Sequence, residues 1–91
     1  DSFVIQLGAI ASPEAFVKKL QSAAAAHGVL RMKGFMAVKG KDMRLLVQGV
    51  GDRYQHYFDR DWKADEDRAS NLVVIGLHGL DEAAIRAMIL D

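Results

Sequence analysis

Three histidines, His27, His56 and His78, are the side chains of this 91-residue chain best suited to chemistry near neutral pH. A neutral imidazole binds Zn²⁺ or Co²⁺, and a carboxylate close by completes or orients such a site. His56 has Asp59 three residues on, and His78 has Asp81 at the same spacing, which makes these two the metal-site candidates. Neither belongs to an H-x-x-x-H pair, and the chain has no cysteine to add a thiolate. Ordinary strand-end or interface histidines are the simpler account of both. His27 falls at the end of an expected helix, where an imidazolium meets the negative pole of the dipole.

Phosphate chemistry finds less support. A P-loop needs G-x-x-x-x-G-K-[ST], so that backbone amides cradle phosphates, the lysine reaches them and a hydroxyl holds Mg²⁺. The nearest string runs from Gly34 to Asp42. It is one residue too long, places a carboxylate where the hydroxyl belongs, and falls between two strands rather than between a strand and a helix. Gly49 and Gly51 are followed by Tyr54 where a dinucleotide loop has its third glycine. Lys33-Gly34-Phe35-Met36-Ala37-Val38 has the shape of an RNA-reading strand, but Ala37 takes the place of the second stacking aromatic. Ser2, Ser12, Ser22 and Ser70 stand at a terminus, a cap, a helix and a loop, none in a nucleophile elbow. The sequence therefore assigns no catalytic and no cofactor-binding residue. The acidic run Asp59, Asp61, Asp65, Glu66, Asp67 is interleaved with Arg60, Lys63 and Arg68, as in a solvated loop.

Composition narrows the partners. Twelve basic residues balance twelve acidic ones, giving a formal charge of zero. Nucleic acid and anionic membranes are usually met by a basic field, so neither is expected here. Hydrophobic residues make up 51% of the chain, enough for one modest core in one domain. The lack of cysteine fits a reducing compartment, and cytoplasmic residence is the expectation. No stretch reaches the ~20 apolar residues of a membrane span, and no signal peptide is visible. The chain opens directly on the strand-like Phe3-Val4-Ile5, and reads as a piece of a longer protein.

The elements that must position any site have clear edges. Alternation over Phe3, Ile5 and Leu7 predicts a first strand. Ser12-Pro13-Glu14 opens a helix over about residues 13–27, closed by Gly28. A second strand covers 29–38, with Leu30, Met32, Met36 and Val38 on one side and Arg31, Lys33, Phe35 and Ala37 on the other. A third runs from Met43 to Val50. Tyr54 to Phe58 continues it or forms a short extra strand, and residues 59–70 form the one long polar loop. Leu72–Leu77 is apolar on both faces, as a central strand would be. Asp81 caps a last helix with Ala84, Ile85, Met88 and Ile89 inward. The resulting order, β-α-β-β-(β)-β-α, predicts an α+β fold with a four- to five-stranded, mostly antiparallel sheet. Its first two strands are joined by a parallel crossover, and both helices lie on one face.

The uncovered face then carries Arg31, Lys33, Phe35, Arg44, Leu46 and Gln48. An apolar centre with a charged rim is the composition of a partner interface. Trp62 joins this set as a candidate hot spot, although anchoring its own loop is the simpler role.

Four strings together carry a family resemblance. His27-Gly28-Val29-Leu30-Arg31-Met32-Lys33-Gly34-Phe35 is the first, and Arg44-Leu45-Leu46-Val47-Gln48-Gly49-Val50-Gly51 the second. His56-Tyr57-Phe58-Asp59-Arg60 and Leu72-Val73-Val74-Ile75-Gly76-Leu77-His78-Gly79-Leu80-Asp81 complete it. In register and order they resemble the C-terminal domain of the CobW family, over nearly the whole of residues 1–91. They are closer to its cobalamin-biosynthesis branch than to the zinc-related relatives. The resemblance implies a non-catalytic accessory domain of a P-loop GTPase and metallochaperone, with the GTPase domain absent from this chain. It implies GTP, Mg²⁺ and cobalt or zinc for the parent protein, with cobalt delivery for cobalamin biosynthesis as its role. It implies as partners the GTPase domain of the same protein and a metal-receiving client. The competing expectation is a stand-alone metal- or small-ligand-binding module built on His56 and His78.

Overall fold

The computed structural model describes all of residues 1–91, with elements β1 (Ser2–Leu7), α1 (Pro13–His27), β2 (Val29–Met36), β3 (Met43–Val50), β4 (Arg53–Asp61), β5 (Ser70–Gly76) and α2 (Glu82–Leu90). Both helices begin where their caps dictate. The Ser12 hydroxyl accepts from the Ala15 N–H at 3.2 Å, with Pro13 at the first helical position. The Asp81 carboxylate accepts from the Ala84 N–H at 3.1 Å. Gly28 ends α1 at φ 66°, a left-handed conformation that lets its N–H reach the Ala24 carbonyl. No helix is long and apolar enough to cross a membrane.

The five strands form one sheet in the order β1-β5-β2-β3-β4, and every hydrogen-bonded pair is antiparallel. β1 and β2 both run against β5, so they are parallel to one another with β5 inserted between them, a split β-α-β unit. The crossover expected between the first two strands is thus kept in direction, while β5 supplies the hydrogen bonds to both.

One face of the sheet carries the helices. Ile5, Met32, Met36, Leu45, Val47, Leu72 and Val74 point to that side and pack on Phe16, Leu20 and Ala23 of α1 and Ile85 and Ile89 of α2. Phe3, Leu7, Tyr54, Leu80 and Met88 close the periphery. Burying a side chain such as Leu20 or Ile85 contributes ~1.5–3 kcal/mol each. Tyr54 lies over Gly49, its partner across the hairpin, and a Cβ on Gly49 would fall 2.3 Å from the ring.

Four expectations are corrected. Leu30 does not share the inward side of β2: the pairing with β5 shifts between Val29 and Arg31, so Val29 is buried and Leu30 is 48% exposed. Ala37 does not belong to the open face either. β2 ends at Met36, and beyond it Ala37 and Val38 are both buried, with Val38 bridged to Ile10 and the Ala37 N–H donating to the Ser70 hydroxyl at 2.9 Å. The segment after Gly51 is a full nine-residue strand, reached through a tight turn with Gly51 at φ 63°. The polar loop therefore starts at Trp62, not at Asp59. Finally, β5 is interior to the sheet but only one of its faces is covered: Val73 and Ile75 are exposed.

Candidate partner-binding face

Strand register arranges the uncovered side as three cross-strand rows. The first contains Ser2, Ile75, Arg31, Val50 and Arg53. The second contains Val4, Val73, Lys33, Gln48 and Gln55, and the third Gln6, Asn71, Phe35, Leu46 and Tyr57. Side chains on one face of adjacent strands are direct neighbours, so each row is a line of contacts. Six of the seven predicted interface residues, Arg31, Lys33, Phe35, Arg44, Leu46 and Gln48, lie on this face. Leu46 is on it but not free: it is 7% exposed, flanked by Phe35 and Tyr57 and separate from the core beneath the helices.

Arg44 begins a fourth row. Its guanidinium stacks 3.6 Å from the Phe35 centroid and grips Asp59 with hydrogen bonds of 3.1 and 2.5 Å. Asp59 is the extra residue of a bulge in β4, which turns its carboxylate to this side. The Arg44 guanidinium holds the Asp59 carboxyl below its ordinary pKa.

Trp62 stands apart from the row of Arg31 and Arg53, just past the far end of β4, where its backbone N–H donates to the Asp42 carbonyl at 3.0 Å while its indole N–H finds no partner. The loop it opens is cross-linked. Arg60 binds Glu66 at 2.5 and 3.1 Å, the same carboxylate accepts the Lys63 N–H at 2.7 Å, and Arg68 reaches Asp42 at 2.9 Å. These bonds lower the Glu66 pKa from its ordinary 4.5 to about 2, the Arg60 contact contributing most. Within the acidic run, Glu66 is thus satisfied by the interleaved Arg60, whereas Asp59 is held by Arg44 of β3.

The histidine candidates are not brought together. His56 lies half-buried on β4, at one edge of the sheet, opposite Val47 and so on the helix side. His78 is fully exposed in the turn after β5, its Nδ1 3.4 Å from the Asp1 carboxylate. β2 and β3 separate β5 from β4. The carboxylates expected to help are otherwise engaged, Asp59 by Arg44 and Asp81 as the cap of α2. No group of three His, Asp or Glu side chains converges as a metal site would. Sequence reading missed Arg53, Gln55 and Tyr57, because the strand bearing them was in doubt. Their alternation after the Gly51-Asp52 turn was the available signal.

A two-layer α+β domain, with helices on one side of a split β-α-β sheet and its other side bare, is the class this architecture defines. The chain belongs to the family described as the cobalamin synthesis protein cobW C-terminal domain, which it matches over residues 1–91. It is 58% identical over 89 residues to a zinc chaperone CobW of Sinorhizobium, covering 98% of this chain and 25% of that protein. A zinc chaperone CobW of Pseudomonas aeruginosa is 63% identical over 59 residues, covering 65% of this chain and 16% of its own length. Among solved structures, the Zn(II)-bound YjiA GTPase from E. coli superposes with a TM-score of 0.76 at 34% identity, over 97% of this chain and 28% of that one. The chain thus spans about a quarter of the length of these relatives, and it corresponds to their C-terminal domain, which is not itself catalytic.

Proposed function

We propose that this domain is the non-catalytic accessory part of a zinc-chaperone GTPase, working in the cytoplasm by contacts through its bare sheet face. The identity of 58% with a protein named a zinc chaperone carries the reading. The relatives' names and the Zn(II) in the YjiA structure favour zinc as cargo. Cobalt delivery for cobalamin synthesis, the expectation from sequence, has the family description on its side. GTP and Mg²⁺ belong to the GTPase part of the parent protein. The partners are that GTPase domain and a metal-receiving client, met through Arg31, Lys33, Phe35, Arg44 and Gln48 around the enclosed Leu46, with Trp62 at the margin. The module built on His56 and His78 is the weaker reading, because the fold holds those residues apart.

The test is deletion of this domain from the parent protein. GTP hydrolysis should persist, while transfer of Zn²⁺ or Co²⁺ to an apo-client should fall, and the metal whose transfer falls is the cargo. Transfer of both metals at the undiminished rate would refute the accessory role.

A further inference from the structure

Arginine pairing across the molecule is uneven. Of the six arginines, Arg44, Arg60, Arg68 and Arg86 each hold a carboxylate of this chain. The two that do not, Arg31 and Arg53, stand in the same row of the bare face, on either side of Val50. Lys33, one row below, is also unpaired. These three cations and the amides of Gln48 and Gln55 line a depression of about 470 Å³. No carboxylate occupies any of the fifteen positions in the three rows, although the chain has twelve. On the other side of Arg31 and Lys33 lies a second depression of about 420 Å³, walled by Phe35, Val73 and Ile75. The face is therefore zoned, cationic toward β4 and apolar toward β5.

We infer that this face seats an acidic, apolar-edged protein surface, with carboxylates against Arg31, Lys33 and Arg53 and an apolar side chain beside Phe35, Val73 and Ile75. The occupant is the GTPase part of the same polypeptide. This rests on the accessory-domain reading and specifies the chemistry of its contact. Three features favour an occupant tethered in the same chain. About three quarters of each relative's length lies outside this domain. Val4, Val73 and Ile75, side by side on β1 and β5, are between 38% and 46% exposed, and Val50 and Tyr57 are 56% and 48% exposed further across the face, a surface suited to lasting cover. The unpaired cations demand complementary charge, which fixes register and orientation more than it adds affinity.

The experiment titrates the isotope-labelled 91-residue chain, which carries its own core, with the separately produced GTPase part and follows amide shifts. The inference expects shifts confined to β2, β3, β4 and β5, and affinity that weakens as salt rises. Arg31→Glu with Arg53→Glu should weaken binding about tenfold or more, while Lys18→Glu with Lys41→Glu, the same charge change off this face, should not. Should the double variant misfold, the shift map and salt dependence of the unaltered chain decide alone. Shifts on α1 and α2, equal loss in both double variants, or no binding to the GTPase part would each overturn the inference. The accessory role itself is judged separately, by metal transfer after deletion of the domain.

Discussion

Arg44 lies across the ring of Phe35 at 3.6 Å while its Nε and one terminal nitrogen hold Asp59, so one guanidinium ties β2, β3 and the bulge of β4 together on the bare face. A cation over an aromatic face contributes ~0.5–1 kcal/mol where water reaches it, and a surface ion pair about as much. Leu46, next to Phe35, is instead enclosed. Arg44→Ala should therefore cost about 1 kcal/mol and Leu46→Ala ~2–5 kcal/mol. Urea denaturation of the two variants checks this. Equal midpoints would remove the distinction between the two residues, and a Leu46 variant within about 0.5 kcal/mol of the parent chain would show that its enclosure adds nothing to stability.

The loop after β4 should be acid-sensitive. Glu66 has a folded pKa of about 2, below its ordinary 4.5. A lowered carboxyl pKa means stability that is fully present above the unfolded value and lost as pH falls through the folded one. The loop should loosen between about pH 4.5 and 2 as Arg60 and the Lys63 N–H lose their anion. Trp62, the only tryptophan, reports on this loop. Its fluorescence should change across that window, and Glu66→Gln should flatten the transition. A Glu66→Gln profile with the same acid transition would assign it elsewhere.

Much of this architecture was legible in the sequence, for local reasons. The helix limits were set by Ser12, Pro13, Gly28 and Asp81, whose chemistry acts within one turn. The sides of β3 followed from parity, with Arg44, Leu46 and Gln48 opposite Leu45 and Val47, although Leu46 is itself enclosed. What stayed hidden was non-local. The placement of β5 between β1 and β2 is a pairing choice between distant segments, and the slip at Leu30 is a bulge with no glycine to announce it. Of the candidate site, the β2 and β3 columns could be read, but Arg53, Gln55 and Tyr57 became visible only once β4 was seen to extend from Arg53 to Asp61. Whether Arg31 and Arg53 lack partners depends on where every carboxylate ends up, which no local pattern encodes.

Gly34 should tolerate no side chain. A Cβ there would stand 2.0 Å from the Asn71 carbonyl oxygen and 2.8 Å from the Leu72 Cα, both backbone atoms of the neighbouring strand. Relief requires β2 and β5 to separate, and these strands form the middle of the sheet. Gly34→Ala should cost about 3 kcal/mol or more, against a smaller loss for Gly8→Ala, where a Cβ meets nothing within 4 Å. Thermal melts of both variants decide it. A Gly34→Ala chain as stable as Gly8→Ala would mean that the β2–β5 contact is looser than described.

Zinc affinity offers the last test, because it separates a metal carrier from a domain that serves one. A tight protein site needs three or four ligands converging within about 2.0–2.3 Å of the ion. Here His56 is held on the helix side of β4 and His78 beyond β5, and their neighbouring carboxylates are bound to Arg44 and to the start of α2. Bringing the two imidazoles to one ion would require opening the sheet across β2 and β3. Isothermal titration of the 91-residue chain with Zn²⁺ and with Co²⁺ should show only weak, unsaturated binding. His56→Ala with His78→Ala should leave the curve unchanged, since neither residue forms part of a common site. Saturable micromolar binding that disappears in the double variant would instead make the chain a metal-binding module in its own right.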